Sequence, residues 1–317
     1  MAVFTQVSPQ DLNPVIEQFS LGRIVLLEGI GAGIENTNYF LNTSKNGQLS
    51  RWVLTIFEAM ESAELPFFVS LTQHLASKGL AVPAALQDSK GQSLFKIQGK
   101  DAMIVPCFDG AAKTDMEIED CAAAGKWLAH MHHAVADFDG DRKLVRDSAW
   151  MQEHLNALKN SDMPRDDFAL LEECVERYSV YQRELDQCSR GTVHGDLFKD
   201  NVLFGEQNIS GVIDFYHACT EGFLFDLAVC ANDWAMTASG RHDSAKLSAL
   251  VEAYQSEKPW SDAESACWPL FLELAALRFW ISRLVSKYLA GYQQESLAGD
   301  TIKDPNAMRD IIIQLRA

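Results

Sequence analysis

The stretch His194-Gly-Asp-Leu-Phe-Lys-Asp-Asn201, continuing through Val202-Leu-Phe204 and returning at Ile213-Asp-Phe215, decides the fold expected of this sequence. Asp196 is placed to accept a proton from an attacking hydroxyl. Asn201, five positions on, offers a neutral oxygen to a metal ion, and Asp214, beyond a short hairpin, can bridge that metal to phosphates. Hard oxygens on an acidic loop suit Mg²⁺, which takes few carboxylates and completes its shell with substrate phosphates. A lone His-Gly-Asp is an ordinary turn; the joint spacing, hairpin included, is the signal. The pattern is H-x-D-x-x-x-x-N, with Ile-Asp-Phe beyond the hairpin, an arrangement suited to phosphoryl transfer.

Upstream of this loop the texture is strand-rich. Ser8-Pro9-Gln10-Asp11 reads as a helix start, with Ser as cap and Pro in the first turn. Gly22–Leu27, Thr37–Leu41, Trp52–Phe57, Ser93–Gln98 and Ala102–Phe108 read as five strands. A glycine-rich turn, Glu28-Gly-Ile-Gly-Ala-Gly-Ile-Glu35, joins the first two, and a helix over Pro66–Lys78 follows the third. Past Asp109-Gly110, helical periodicity covers Met116–Val135, Ser148–Leu158, Phe168–Leu185, Ser244–Tyr254 and Ser261–Leu289, interrupted by a hairpin within Thr192–Phe215. The expectation is an α+β, two-lobed chain. Residues 1–108 form a small antiparallel-sheet, nucleotide-binding N-lobe, and residues 109–317 a larger helical, catalytic and substrate-binding C-lobe.

The charge balance narrows the partners. With 27 Lys+Arg against 44 Asp+Glu, the net charge of -17 repels nucleic-acid backbones and anionic lipid, so neither is expected as a partner. Seven cysteines without a CxxC pair read as reduced thiols, not as a disulfide framework or zinc site. No basic-then-apolar leader and no run of ~18 apolar residues is visible, so a cytoplasmic protein is expected.

These motifs resemble the aminoglycoside phosphotransferase/choline kinase superfamily, which has the protein-kinase-like fold, and within it the homoserine kinases. The resemblance spans essentially the whole chain. It includes Gly33–Phe40, Val53-Leu-Thr-Ile-Phe-Glu58, Leu65-Pro-Phe-Phe68, His194–Phe204, Ile213–Tyr216, Asp226-Leu-Ala228, Asn232-Asp-Trp234 and Arg278-Phe-Trp-Ile-Ser-Arg283. It implies an enzyme transferring the γ-phosphoryl group of ATP, with Mg²⁺, to the hydroxyl of L-homoserine, a step of threonine biosynthesis. Asp196 would be the base and Asn201 with Asp214 the metal ligands. Nucleotide contacts would come from Gly31, Gly33, Ile34, Asn38, Thr55 and the backbone around Val105, Cys107 and Phe108. An Asp at position 226 would brace the catalytic loop, and His132 would serve packing. Another amino alcohol or an aminoglycoside would keep the same catalytic residues, and a nucleotide-binding scaffold is the alternative from outside catalysis.

One departure from the generic kinase pattern stands out. The strand that would end V-A-I-K ends Trp52-Val-Leu-Thr55, and the following helix has no interior glutamate. Losing both charges together avoids a lone buried one, and the homoserine kinases resemble this chain in carrying Thr there. More of the phosphate grip then falls to backbone N–H groups of Gly31–Ile34. Lys199 could neutralise charge on the transferred group or be a solvated loop lysine. For the acceptor, Asp233 offers an anion and Trp234 a cation–π face to an ammonium. Arg278 and Arg283 lie ~140° apart around a helix, so one is expected to clamp a carboxylate and the other to serve packing. Arg283 is favoured, since Trp280 and Lys287 share its face. His130, His132 and His133 do not share a helical face and are not expected to bind metal.

Overall fold

The computed structural model describes residues 3–31, 36–206, 208–237, 239–289 and 303–317. Its described residues fall into two compact units, one up to Asp109 and one from Gly110 onward. The first opens with α1 (Pro9–Gln18), where Ser8 and Asp11 form a reciprocal cap: the Ser8 hydroxyl accepts from the Asp11 N–H and the Asp11 carboxylate accepts from the Ser8 N–H. Strands β1 (Arg23–Gly29), β2 (Asn36–Lys45) and β3 (Gln48–Phe57) follow, then α2 (Leu65–Ser77), β4 (Phe95–Ile97) and β5 (Lys100–Pro106). The sheet is antiparallel throughout, in the order β1-β2-β3-β5-β4. The five expected strands are all present. Alternation along β2 turns Tyr39 and Leu41 inward, where they join Leu54, Ile56 and Ile104 and the apolar stripe of α1 (Leu12, Val15, Ile16) in one core. Buried Glu58, at the end of β3, accepts from Thr5, Thr37 and Lys100 and so ties the N-terminal segment to the sheet.

The second unit is mainly helical: α3 (Ile118–Ala134), α4 (Ser148–Leu158), α5 (Arg165–Leu185), α6 (Phe223–Trp234), α7 (Ser244–Glu257), α8 (Asp262–Tyr288) and α9 (Pro305–Leu315). Two small strand pairs interrupt it. The expected hairpin is β7 (Val202–Phe204) with β8 (Ile209–Val212); a second pair, β6 (Arg190–Val193) with β9 (Cys219–Gly222), was not foreseen. Helices α6 and α9 were also missed. Every residue of α6 except Asp233 is buried, so its sequence is apolar all round and shows no helical stripe. Among the described residues no helix is long and apolar enough to cross a membrane.

Candidate active site

Strand β6 delivers the chain to His194, and Gly195 turns it. Gly195 has φ +80°, and a Cβ there would lie 2.6 Å from the His217 carbonyl oxygen, so only glycine fits. The His194 ring is fully buried, and burial pushes its pKa down. As a neutral ring it donates from Nε2 to the Ile213 carbonyl (3.0 Å) and accepts the Asp196 N–H at Nδ1 (3.2 Å). One imidazole thus pins the loop bearing Asp196 to the strand end that precedes Asp214.

Below the loop lies Asp226, near the start of α6 and inaccessible to solvent. Its two oxygens accept the N–H groups of His194 and Gly195, each at 2.7 Å. His132 reaches its Oδ2 from α3 (3.2 Å) and holds the Tyr254 hydroxyl of α7 on its other nitrogen (2.9 Å). Burial drives His132 toward the neutral ring, with Nε2–H facing the carboxylate. Burial would raise the Asp226 carboxyl, but the His132 and Gly195 hydrogen bonds hold it below its ordinary value. Asp226 therefore braces the loop as expected, and His132 does so through hydrogen bonds as well as packing.

Asp196 is half-buried, and its carboxyl is pushed well above the ordinary value, first by burial and then by the negative charge of Asp214; Arg146 and Lys303 oppose this. The Asn201 side-chain NH₂ donates to the Asp196 carbonyl (2.9 Å) and to its Oδ2 (3.1 Å), which turns the amide oxygen of Asn201 away from the base. Asp214 sits at φ 66°, ψ 62°, the left-handed region. These donors fit a small hard cation: one amide oxygen and one carboxylate, next to a second carboxylate that is repelled by the first. Among the described residues no group of three or more His, Cys, Asp or Glu side chains is placed to hold a metal ion, so a cation beside Asn201 and Asp214 would draw further oxygens from substrate or water.

The acceptor-side residues separate. Asp233 accepts the Lys199 backbone N–H at its Oδ2 (2.8 Å), and burial raises its carboxyl. Trp234 corrects the expectation of an open cation–π face. It is 1% exposed, donates its indole N–H to the Leu197 carbonyl (3.1 Å) and packs on Phe204. Arg278 is likewise internal: 1% exposed, 2.6 Å from Glu221 and stacked over Phe225. Arg283, in contrast, donates to the Asp304 carbonyl (3.0 Å). Burial lowers its pKa, while the charges of Asp233, Asp304 and Asp196 work the other way. Lys199 is half-buried in the short turn Lys199–Asn201.

In the sheet unit, the β2–β3 register sets Asn38 opposite Thr55, and the Thr55 hydroxyl donates to the Asn38 side-chain oxygen (2.8 Å). A neutral pair therefore occupies the place of the kinase lysine. Gly31 is exposed; Gly33 and Ile34 lie outside the described residues. Val105 is buried opposite Val53 on β5, with half-buried Cys107 and Phe108 just beyond the strand. Two cations lie near Asp196, Arg146 and Lys303; neither belongs to a motif, and both reach the loop from segments distant in sequence.

Residues 27–260 match the phosphotransferase enzyme family. Over 315 residues the chain is 38% identical to a homoserine kinase of Neisseria meningitidis serogroup B, covering 99% of this chain and 100% of that protein. A homoserine kinase of Methylobacillus flagellatus is 37% identical, covering 91% and 88%. Among solved structures, a spectinomycin phosphotransferase in complex with ADP and spectinomycin matches with a TM-score of 0.69 at 13% identity, covering 98% and 99%. An amicoumacin kinase bound to AMP-PNP and Ca²⁺ matches at 0.67 and 17%, covering 95% and 93%. These two likenesses carry the fold alone.

Proposed function

The chain belongs to the phosphotransferase enzyme family, and from that premise we propose that it transfers the γ-phosphoryl group of ATP to the hydroxyl of L-homoserine, giving O-phospho-L-homoserine. The observation that carries the reaction is the Asp196–Asn201–Asp214 arrangement, with the base and the two cation donors fixed by one buried imidazole and one buried carboxylate. The acceptor is carried by the end-to-end likeness to curated homoserine kinases.

Asp196 takes the proton of the acceptor hydroxyl. Its raised proton affinity, caused by burial and by Asp214, brings a carboxylate closer to the strength that general-base work near neutral pH requires. The Asn201 amide keeps Oδ2 oriented while the hydroxyl approaches. Asn201 and Asp214 would hold Mg²⁺, whose charge, when bound, neutralises the phosphate oxygens. Lys199 adds positive charge beside the loop, and Asp233 fixes that lysine's backbone. On the acceptor, Arg283 takes the carboxylate and Asp233 faces the ammonium. Gly31, Gly33, Ile34, Asn38 and Thr55, with the backbone at Val105, Cys107 and Phe108, serve the nucleotide, residues 1–108 acting as the nucleotide-binding lobe and 109–317 as the catalytic one.

A panel of L-homoserine, choline and kanamycin with Mg-ATP and coupled ADP detection tests this reading. ADP release should require L-homoserine and a divalent cation. Turnover confined to choline or kanamycin would overturn the acceptor, and no turnover with any of them would overturn the kinase assignment.

A further inference from the structure

The acceptor's short chain limits where its carboxylate can bind. In homoserine the hydroxyl oxygen and the carboxyl carbon are four bonds apart, ~5 Å when extended with C–C bonds near 1.5 Å. A hydroxyl within hydrogen-bond reach of Asp196 therefore puts its carboxylate among side chains clustered at the catalytic loop. Arg278 lies inside the protein against Glu221, and Lys303 is drawn to Asp200 at 3.1 Å.

Arg146 is held at this loop by a chain of contacts. The segment before it is strapped to β9: the Arg142 guanidinium donates to the Ala218 carbonyl (3.2 Å), the Arg142 carbonyl accepts from the Thr220 N–H (2.8 Å), and Asp141 accepts from the Thr220 hydroxyl (2.6 Å). Asp147 then caps α4, fixing the residue after Arg146 (Trp150 N–H to Asp147, 2.9 Å). Between these anchors the Arg146 guanidinium carbon lies 6.0 Å from the Trp150 ring and 5.7 Å from the Phe279 ring. Phe279 meets Phe198 of the catalytic loop edge to face at 4.8 Å. Phe279 and Arg283 are four residues apart on α8, hence on one face, which brings the two guanidinium groups to the same side of that helix.

We propose that Arg146, framed by Trp150 and Phe279, is a second arginine that binds the acceptor carboxylate beside Arg283. The inference rests on homoserine being the acceptor. Aromatic faces suit a weakly hydrated guanidinium and hold its fork in one orientation. A carboxylate has about four lone-pair sites, enough for two guanidinium donors. That the Arg146 charge is felt at both Asp196 and His217 agrees with a place beside the reacting hydroxyl.

Steady-state kinetics of R146K and R146M test this, with L-homoserine and with 3-amino-1-propanol, the same amino alcohol without its carboxylate. For homoserine, KM should rise on the order of 10-fold in R146K and 10²-fold in R146M, the scale of losing a charge-assisted fork. KM for ATP in both variants, and kcat/KM for 3-amino-1-propanol in R146K, which keeps the charge beside Asp196, should stay within about two-fold of native on this reading. A native KM for homoserine in either variant overturns the proposal, and so does an equal loss on both acceptors, which would mark Arg146 as acting through the fold or the base. If R146M does not fold, R146K decides alone on the same criteria. A wild-type enzyme silent on homoserine would overturn the underlying function instead, and the wild-type control separates the two failures.

Discussion

At the scale of single residues, the site assigns different tasks to side chains of the same type. Asp196 and Asp226 lie thirty residues apart and both belong to the catalytic loop or its bracing, but only Asp226 spends both oxygens on backbone N–H groups. Asp196→Asn should therefore leave nucleotide binding and the fold intact while kcat falls roughly 10²–10⁴-fold, checked by single-turnover rates beside ATP titration. A near-native kcat would remove Asp196 from its role. The two arginines of α8 differ as sharply. Arg278→Met should leave half-buried Glu221 without its cation, costing about 3 kcal/mol in denaturant unfolding, the low end for breaking a buried pair, with KM for homoserine unmoved in the folded fraction. A raised KM with native stability would return Arg278 to the acceptor. The sequence showed that these arginines point apart, because helical geometry is local. Which of them faces the loop depends on Glu221 and Asp304, whose positions are set by tertiary structure.

At the scale of elements, packing against backbone decides what periodicity cannot. Gly125, inside α3, faces α7 so closely that a Cβ would lie 2.1 Å from the Leu250 carbonyl oxygen. In an exposed helix Gly→Ala gains up to ~1 kcal/mol; here the helices must separate, and overpacking of this kind costs about 1–3 kcal/mol. Gly125→Ala should lower the urea midpoint, and a raised midpoint would contradict the observed closeness of α3 and α7. The same distinction explains what was legible. The five strands and the β7–β8 hairpin announce themselves by alternation and turn residues, which are local signals. Helix α6 hides because it is buried on all sides, and the β6–β9 pair because its partners are joined only by long-range pairing. Helix α9 carried a start signal, Asp304 as cap and Pro305 in the first turn, too short to stand out before its apolar face was known. Asp196, Asn201 and Asp214 were readable from spacing along one loop and hairpin, whereas Arg146 comes from a segment that no motif connects to them.

At the scale of the whole molecule, histidines held neutral in the folded chain link folding to pH. His132 is pushed down by burial, and His217 is pushed down to about 3 by burial and by Arg146, His194 and Arg142. Below about pH 6.5 the unfolded chain therefore binds protons at these sites that the folded chain refuses, at His217 down to about pH 3. Their contribution is complete above pH ~6.5 and is lost as the pH falls, by up to about 1.4 kcal/mol per pH unit for each histidine. Asp226, held below its ordinary value, adds a further loss under about pH 4. Acidification also relieves the repulsion behind the net charge of -17 and protonates the raised carboxyls of Asp196 and Asp233 in the folded chain first, both of which favour the folded state. At 0.15 M salt, where charges are screened beyond ~8 Å, the histidine effect should dominate. The thermal midpoint should hold from pH 8 to about 6.5 and then decline steadily; a midpoint that rises from pH 6.5 to 5 would mean that carboxylate charge, not histidine burial, controls stability.

Asp214 occupies a backbone conformation that an L-residue with a Cβ enters at a cost of roughly 1 kcal/mol or more, and that glycine enters freely. Natural selection and a laboratory screen would consequently pull this position in opposite directions. A library sorted for heat resistance alone should enrich glycine at 214, and asparagine next, since its short polar chain tolerates the same conformation. Those winners would outlast the parent on heating and yield no product. Sorted instead by growth that depends on the reaction, the same library should return aspartate despite its poorer melting behaviour. The fitness landscape at this codon would then have two separated peaks, one for durability and one for turnover, with the organism confined to the second.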